Sequence, residues 1–585
     1  MKVKLWIIIL LLFLSCIVKS QEISKEKVTD SIQQKDSLAT ISEVIIQSSR
    51  KDVKLNQGNI VMNISGNKDF KTSTNILEVL RKTPGVTVDS EDGIFIGGRI
   101  SPAIFINGKP VVMSAQELQI YLRSLSPDMV ESLEVNTNPS SKYDAEFKGI
   151  IDIKLKKNTN LGWIGNYIGN TSINKFNYKE NSLNLSYNAQ KISYNVQLGY
   201  NNGISIYRYR ALQRLANTNV MRTETYQKDD AEIYTAQMGI DYKLNDKNRF
   251  GVNVRANFRE SERIRLGSLY TVNKDETQLI FNTESKNPIN YIQDNYGITA
   301  DYSFQYKNFK LSFLGNYLSV KNKQEDDFLN NDKPTSELLS YWKSDLLNKI
   351  DIYAGQVDVS QKIGDATFDA GLKLSDTKTN NMIRYDTLSV NQQFVFDPTR
   401  SNQFSYKEKI FAGYLTYSQK FNKLQINAGL RFENTQSISN AVTVDSVVSR
   451  NYLKWLPSFS ASYAFNKSSE LSFSYSRKLT RPVFSQLNPF RFYYSPLNYW
   501  IGNPYLQPSF TNQIKATYRY KNWVTAFTIG KETDVMTRYP IYNPETNVLE
   551  FLGTNLPYRN FASLEISFPI KITKQQACVI MMSKI

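Results

Sequence analysis

From Trp163 onward the chain alternates apolar and polar residues in runs of about ten. In SLNLSYN, Leu183, Leu185 and Tyr187 share one side, and Ser182, Asn184, Ser186 and Asn188 the other. FGVNVRANF places Phe250, Val252, Val254, Ala256 and Phe258 opposite Gly251, Asn253, Arg255 and Asn257. YGITADYSFQY, LQINAGLRFE, LSFSYSRK and QIKATYRYK repeat the pattern. Successive side chains of a strand point to opposite faces, so this period predicts strands with one greasy and one wet face. A soluble β-sandwich alternates in the same way. Three features favour an antiparallel transmembrane barrel instead. The runs are long enough to cross a bilayer at a tilt. Tyr, Phe and Trp gather at the run ends, where membrane interfaces lie. Tight links such as 189–191, 245–248 and 421–424 alternate with polar stretches near 201–232, 261–293, 321–349, 378–407, 435–454, 481–511 and 533–558. That rhythm predicts short turns on one side of the membrane and long loops on the other. The reading yields about 16 strands, the last near Ala562–Ile570.

The region before the barrel, 41–156, lacks this rhythm. STNILEVLRKTPGV predicts a helix capped by Ser73 or Thr74, with Ile76, Val79 and Leu80 on one face and Pro84-Gly85 as the stop. SAQELQIYLRSL predicts a second helix with Leu118, Tyr121, Leu122 and Leu125 on one face. Short strands surround these helices, one hairpin turning at Asn107-Gly108. The expectation is a small mixed α/β domain at 41–156, followed by a barrel over 157–574. Residues 21–40 read as a polar, flexible leader. Residues 1–20 combine Lys2 and Lys4 with an apolar run to Val18 and a small residue at Ser20, the layout of a secretory signal peptide.

Composition narrows the chemistry. The chain has no histidine and two cysteines, Cys16 and Cys578. This removes histidine-based triads, ordinary zinc sites and a disulfide framework. No nucleophile elbow or P-loop is present, so neither an enzyme nor a cofactor is expected. The net charge of +17 is spread along the chain rather than clustered. It fits a basic lumen or a surface facing anionic lipid headgroups better than nucleic-acid binding.

Particular motifs carry a resemblance. Thr83-Pro84-Gly85-Val86, Ile106-Asn107-Gly108-Lys109-Pro110, Asn138-Pro139, Lys142-Tyr143-Asp144 and Gly149 to Ile153 resemble the plug of TonB-dependent receptors, of the Bacteroidota-type outer-membrane β-barrel family. Thr480-Arg481-Pro482, Leu487-Asn488-Pro489-Phe490 and Gly502-Asn503-Pro504 resemble the barrel of the same family. The resemblance implies an outer-membrane receptor that imports a substrate past a movable plug, pulled by a TonB-type inner-membrane energy-coupling protein. It leaves siderophore, glycan, peptide and cobalamin open as substrates, and a non-transporting structural or assembly barrel as the alternative function. Ser42, Glu43, Val44, Ile45 and Ile46 are similar to the TonB-contacting segment; the same residues also suit the plug's own first strand. Arg99, Asn107 and Lys109 on plug turns, and Tyr493, Tyr494, Tyr499 and Trp500 on a barrel loop, are the substrate-contact candidates; the aromatic four equally suit packing within the loop.

The end of the chain departs from the pattern. After Lys574, QQACVIMMSKI does not alternate. A barrel around a domain-sized plug calls for about 22 strands. The expectation is therefore a barrel missing about six of them, its reading frame truncated or shifted near 574, an aberrant tail at 575–585 and unpaired edges in lipid; the alternative is a genuine 16-stranded barrel with an unusual tail.

Overall fold

The computed structural model describes residues 53–584 except 57–58, 66, 68–69, 71–72, 90–92, 98–99, 112–114, 157–160, 174, 216, 496–497, 522, 547 and 572–576. The signal peptide, the leader, Ser42 to Ile46 and Arg99 lie outside the described residues.

The N-terminal domain begins with β1 (Val53–Asn56), β2 (Asn59–Asn63) and α1 (Ile76–Arg81). Asn75, not Ser73 or Thr74, caps α1: its backbone is extended and its side chain accepts from Glu78 N at 3.1 Å. Thr74 is spent differently, its N–H and hydroxyl both donating to the Glu78 carboxylate. The helix buries Ile76, Leu77, Val79 and Leu80 and ends before Gly85, whose φ of +76° disfavours other residues. Next come β3 (Val86–Val88), β4 (Ile94–Ile96), β5 (Ala103–Ile106), β6 (Lys109–Pro110), α2 (Ala115–Ser124), β7 (Val130–Asn136) and β8 (Ile150–Leu155). β1, β2, β7, β8, β5 and β6 lie side by side in that order, with only β5 and β8 parallel. Leu122 and Leu125 are buried in the core, and Leu118 and Tyr121 pack against it.

The wall is built from β9 (Gly162–Ser172), β10 (Tyr178–Asn188), β11 (Ile192–Arg214), β12 (Val220–Lys243), β13 (Asn248–Val272), β14 (Leu279–Tyr306), β15 (Phe309–Asp332), β16 (Leu338–Ile363) and β17 (Ala366–Leu388). After the short β18 (Phe394–Phe396) it continues with β19 (Asn402–Phe421), β20 (Leu424–Ala441), β21 (Ser446–Asn466) and β22 (Ser469–Thr480). A helical turn, α3 (Phe484–Leu487), and the short β23 (Arg491–Ser495) and β24 (Asn498–Ile501) then leave the wall. It resumes with β25 (Ser509–Tyr520), β26 (Trp523–Asn543), β27 (Val548–Lys571) and β28 (Ala577–Lys584).

The ring is closed, contrary to the expected open edges. The run Ala577–Lys584 pairs antiparallel with β27, from Lys571↔Ala577 to Leu564↔Lys584, and meets β9 on its other side. Backbone pairing does not require alternation, and an apolar, β-prone run satisfies a free edge as well as an alternating one. Among the described residues seventeen strands form the wall, with β18, β23 and β24 outside it. Every wall pairing from β9 through β28 is antiparallel, so an odd number forces β28 and β9 to run the same way where they meet.

The greasy belt is edged by two girdles of aromatic pairs. Towards the short turns, the periplasmic side in such barrels, stand Trp163–Tyr187 at 5.0 Å, Phe250–Tyr302 at 4.7 Å, Phe368–Tyr417 at 5.3 Å and Trp523–Phe568 at 5.0 Å between ring centres. Towards the other end stand Tyr200–Tyr234 at 5.0 Å, Tyr317–Tyr353 at 4.9 Å and Phe432–Trp455 at 5.8 Å.

Most of the expected long loops are strand. β13 and β14 stay in register from Asn248↔Phe304 to Thr271↔Phe281, and β11 and β12 as far as Arg214↔Val220. Beyond the membrane both faces of a hairpin meet water, so the ladder continues while the apolar face is no longer required. Val254 is 46% exposed on the outward face. Val254→Lys is expected to cost about 2–4 kcal/mol of folding stability in lipid vesicles, as measured by urea titration, and Asn253→Lys on the wet face much less.

Candidate functional site

The N-terminal domain sits inside the ring, held at several points. Lys109 pairs with Asp301 of β14, Arg123 with Glu180 of β10 at 3.2 Å, and Lys148 with Glu532 of β26 at 3.4 Å. Near α2, Asn184 Nδ2 donates to Ser124 O at 3.3 Å. A small recess, lined by Ile120, Arg123, Asn170, Ser182 and Asn201, remains between α2 and the wall.

The densest contact involves the irregular segment 137–149 between β7 and β8. Phe105 lies edge-on to both Tyr143 and Phe147 at 5.5 and 5.8 Å, fixing the segment on its own domain. Burial, with Asp152 and Glu134 nearby, pushes the Tyr143 phenol up to about 12, so it packs as a neutral ring. Asp144 and Glu146 then face the wall. Asp144 accepts from Lys373 of β17 at 2.5 Å and from Arg431 of β20 at 3.2 Å. Arg431 also pairs with Glu433 at 2.6 Å. Arg481, where the chain leaves β22, pairs with Glu433 and lies 3.3 Å from Glu146 and 3.9 Å from Glu408. Lys478 Nζ donates to Pro139 O at 2.7 Å, and Ser141 and Ser458 hydroxyls are 2.8 Å apart.

Three cations (Lys373, Arg431 and Arg481) thus meet four carboxylates, two of them from the inner domain, while Lys478 is held by a backbone carbonyl. Asp144 is the carboxylate that Lys373 reaches, which favours the seated position. Burial alone would raise the Asp144 carboxyl, but Lys373 and Arg431 hold it below the usual range. Glu146 is raised: enclosure, then Glu408, Asp144 and Glu433, outweigh Arg481.

Above this cluster, the parts of 481–508 around Leu487 and Leu506 fold inward as a strap. Leu487 and Leu506 pack with Phe404, Tyr406 and Ala441 on the inner wall. Phe490 stacks on Tyr385 at 6.2 Å. Asn488 accepts from Asn402 at 2.6 Å and donates to Asn381 at 3.4 Å. A Cβ on Gly502 would sit 2.1 Å from Asn488 O, so only glycine allows this approach, and Asn503 N donates to Gln486 O at 2.7 Å. The LNPF and GNP motifs are thereby two halves of one fold-back.

The residues singled out from sequence do not gather in one place. Asn107 accepts from Leu155 N at 2.9 Å and shapes its turn. Lys109 meets Asp301 near the short-turn end of β14. Tyr493 pairs in register with Tyr499, and β24 runs parallel to β27 from Asn498↔Leu549 to Ile501↔Leu552, near the long-hairpin end. Tyr499 donates to Glu550 at 3.0 Å, and Arg538 lies over the Trp500 ring at 4.4 Å. The ion cluster was missed. A sequence signal for it is Arg431 and Glu433, two apart on the wet face at the level of greasy Leu430 and Phe432.

Two families match the chain. The TonB-dependent receptor plug domain matches residues 58–149, and the outer membrane protein beta-barrel family matches 307–583. The chain is an outer-membrane β-barrel protein with a TonB-dependent receptor plug. Solved structures share this fold. A variant of the ferric enterobactin receptor PfeA of Pseudomonas aeruginosa is 16% identical, with 90% of this chain and 79% of the receptor covered and a TM-score of 0.55. The siderophore receptor PirA of the same organism is 15% identical, covering 91% and 86%, with a TM-score of 0.51. The copper transporter OprC is 10% identical, covering 91% and 80%, with a TM-score of 0.59. No curated protein sequence matches the chain.

The charges give the plug a pH response. A raised Glu146 binds its proton more tightly when seated, so its contribution grows as pH falls from neutral towards about 4.3. A depressed Asp144 contributes above about 3.9 and is lost as pH falls further. The urea needed to release the plug, followed by protease access to 137–149, is expected to rise on mild acidification and fall below about pH 4. Arg481→Ala, which removes the cation facing Glu146 of the plug and leaves Glu433 to Arg431 alone, is expected to lower plug seating by about 1–3 kcal/mol in the same assay. Gly502→Ala displaces the strap and is expected to raise single-channel conductance in planar bilayers.

Proposed function

We propose that this protein is a TonB-dependent outer-membrane transporter of the Bacteroidota type, exported by the signal peptide at 1–20. It admits a substrate from the long-hairpin side and imports it when the plug is displaced. The observation that carries this reading is a plug seated in a closed barrel by charges rather than by a continuous apolar interface. Charged and hydroxyl contacts exchange for water in a wet lumen, so the plug can shift without exposing a greasy face.

On this reading the segment Ser42–Ile46 receives the pull. Val44 and Ile45 are β-prone, and an extended segment binds a TonB-type protein by adding a strand, through backbone hydrogen bonds. Proline at either position removes a donor and blocks that pairing. Val44→Pro or Ile45→Pro is therefore expected to abolish binding of the periplasmic domain of the TonB-type partner to the vesicle-reconstituted receptor. Ile45→Cys is expected to form a disulfide in the oxidising periplasm with a cysteine introduced into the strand-pairing edge of that domain. Undiminished binding by both proline variants, together with no cross-link, would sink the transporter reading in favour of a structural barrel.

A further inference from the structure

The outward face of β15, β16, β17 and β19 carries a second, unassigned feature just beyond the girdle on the long-hairpin side. Lys321 and Lys323 follow Tyr317 on β15, Lys349 precedes Tyr353 on β16, Lys378 follows Leu374 on β17, and Lys407 and Lys409 precede Phe411 on β19. All six are exposed, whereas their lumen-side neighbours Asn348, Thr379 and Tyr406 are buried. The apolar residues below them, Tyr353, Leu374 and Phe411, are exposed to lipid. Four residues along a strand span about 13 Å, or about 10 Å of height at the usual tilt. The ammonium groups therefore stand at the headgroup layer of the outer leaflet.

Two pairs are directly opposed in register: Lys321↔Lys349 and Lys378↔Lys407. Like charges directly opposite destabilise a sheet. The carboxylates on this face relieve them only in part. Lys323 pairs with Glu325, and Lys349 with Asp351 at 3.2 Å. Asp294 stands opposite Lys321, Asp351 opposite Lys378 and Asp376 opposite Lys409 in register. Among the described residues Lys321, Lys378, Lys407 and Lys409 form no ion pair. An anion between each opposed pair turns repulsion into attraction.

We propose that this face binds the headgroup of a phosphorylated outer-leaflet lipid, one phosphate at each opposed lysine pair. The pairs lie two strand spacings apart, about 10 Å, which suits a headgroup with two phosphates. The inference uses only the barrel and its belt, so it holds whether or not the chain transports.

The test titrates the full-length protein, in zwitterionic micelles, with a diphosphorylated glucosamine-disaccharide lipid and counts bound lipid by native mass spectrometry. Replacing Lys321, Lys349, Lys378 and Lys407 together by Gln is expected to weaken binding roughly tenfold or more, given the usual contribution of a basic residue at an anionic membrane surface. The fourfold Arg variant is expected to bind as the unaltered protein does and shows that the fold tolerates change there. Lys307→Gln with Lys362→Gln, at the short turns, is expected to change nothing. Equal binding by the Gln variant, or of the lipid stripped of its phosphates, overturns the proposal. So does displacement of the lipid by about 10 mM inorganic phosphate, at about the free-ion screening strength of dilute buffer, which would mark a site for soluble anions.

Discussion

The hydrocarbon interior of a membrane offers no water to the backbone, and every wall N–H and C=O must find its partner on a neighbouring strand. The closed ring follows from that constraint, and the plug follows from the ring. A wall of seventeen strands encloses more space than its own inward side chains can fill. The inward face must also be polar, because the outward face has taken the apolar residues of each run. Whatever fills the lumen therefore meets Asn, Ser, Arg and Glu rather than a greasy wall. Docking by ion pairs and hydroxyls is the consequence, and apolar packing at the densest contact shrinks to Ala145 against Leu456, Leu479 and Phe510.

The same constraint sets what could be read from the sequence. Where lipid demands an apolar face, alternation is strict, and the belt from Phe250 to Phe258 or Leu424 to Phe432 was plain. The buried faces of α1 and α2 were plain for the same reason. Beyond the girdles nothing penalises a polar residue on either face, so 201–232 and 261–293 looked like loops although most of their backbone is paired in hairpins. The last strand was opaque in the opposite way: Cys578 to Met582 are apolar without interruption, and pairing does not need a pattern. The helix start moved from Thr74 to Asn75 because two neighbouring polar side chains competed for one role, and Thr74 serves Glu78.

The ion cluster lay beyond reach for a different reason. Its members come from 144, 146, 373, 408, 431, 433, 478 and 481, and each alone reads as a solvated charge. Only the fold brings Asp144 across to Lys373, some 229 residues away. The motifs around Tyr143-Asp144 and Thr480-Arg481 marked the right places without saying that they touch.

Arg481 sits where three parts of the molecule meet. Its guanidinium faces Glu146 of the plug and Glu433 and Glu408 of the wall, and its backbone begins the strap that covers the lumen. The strap's far contacts, at Asn488 and Leu487, reach β17, β19 and β20 on the inner wall. Withdrawing Glu146 would take one carboxylate from a buried cation and leave it to the two that remain. Plug, wall and strap thereby share one ion, since the Arg481 that Glu146 faces is also the first residue of the strap.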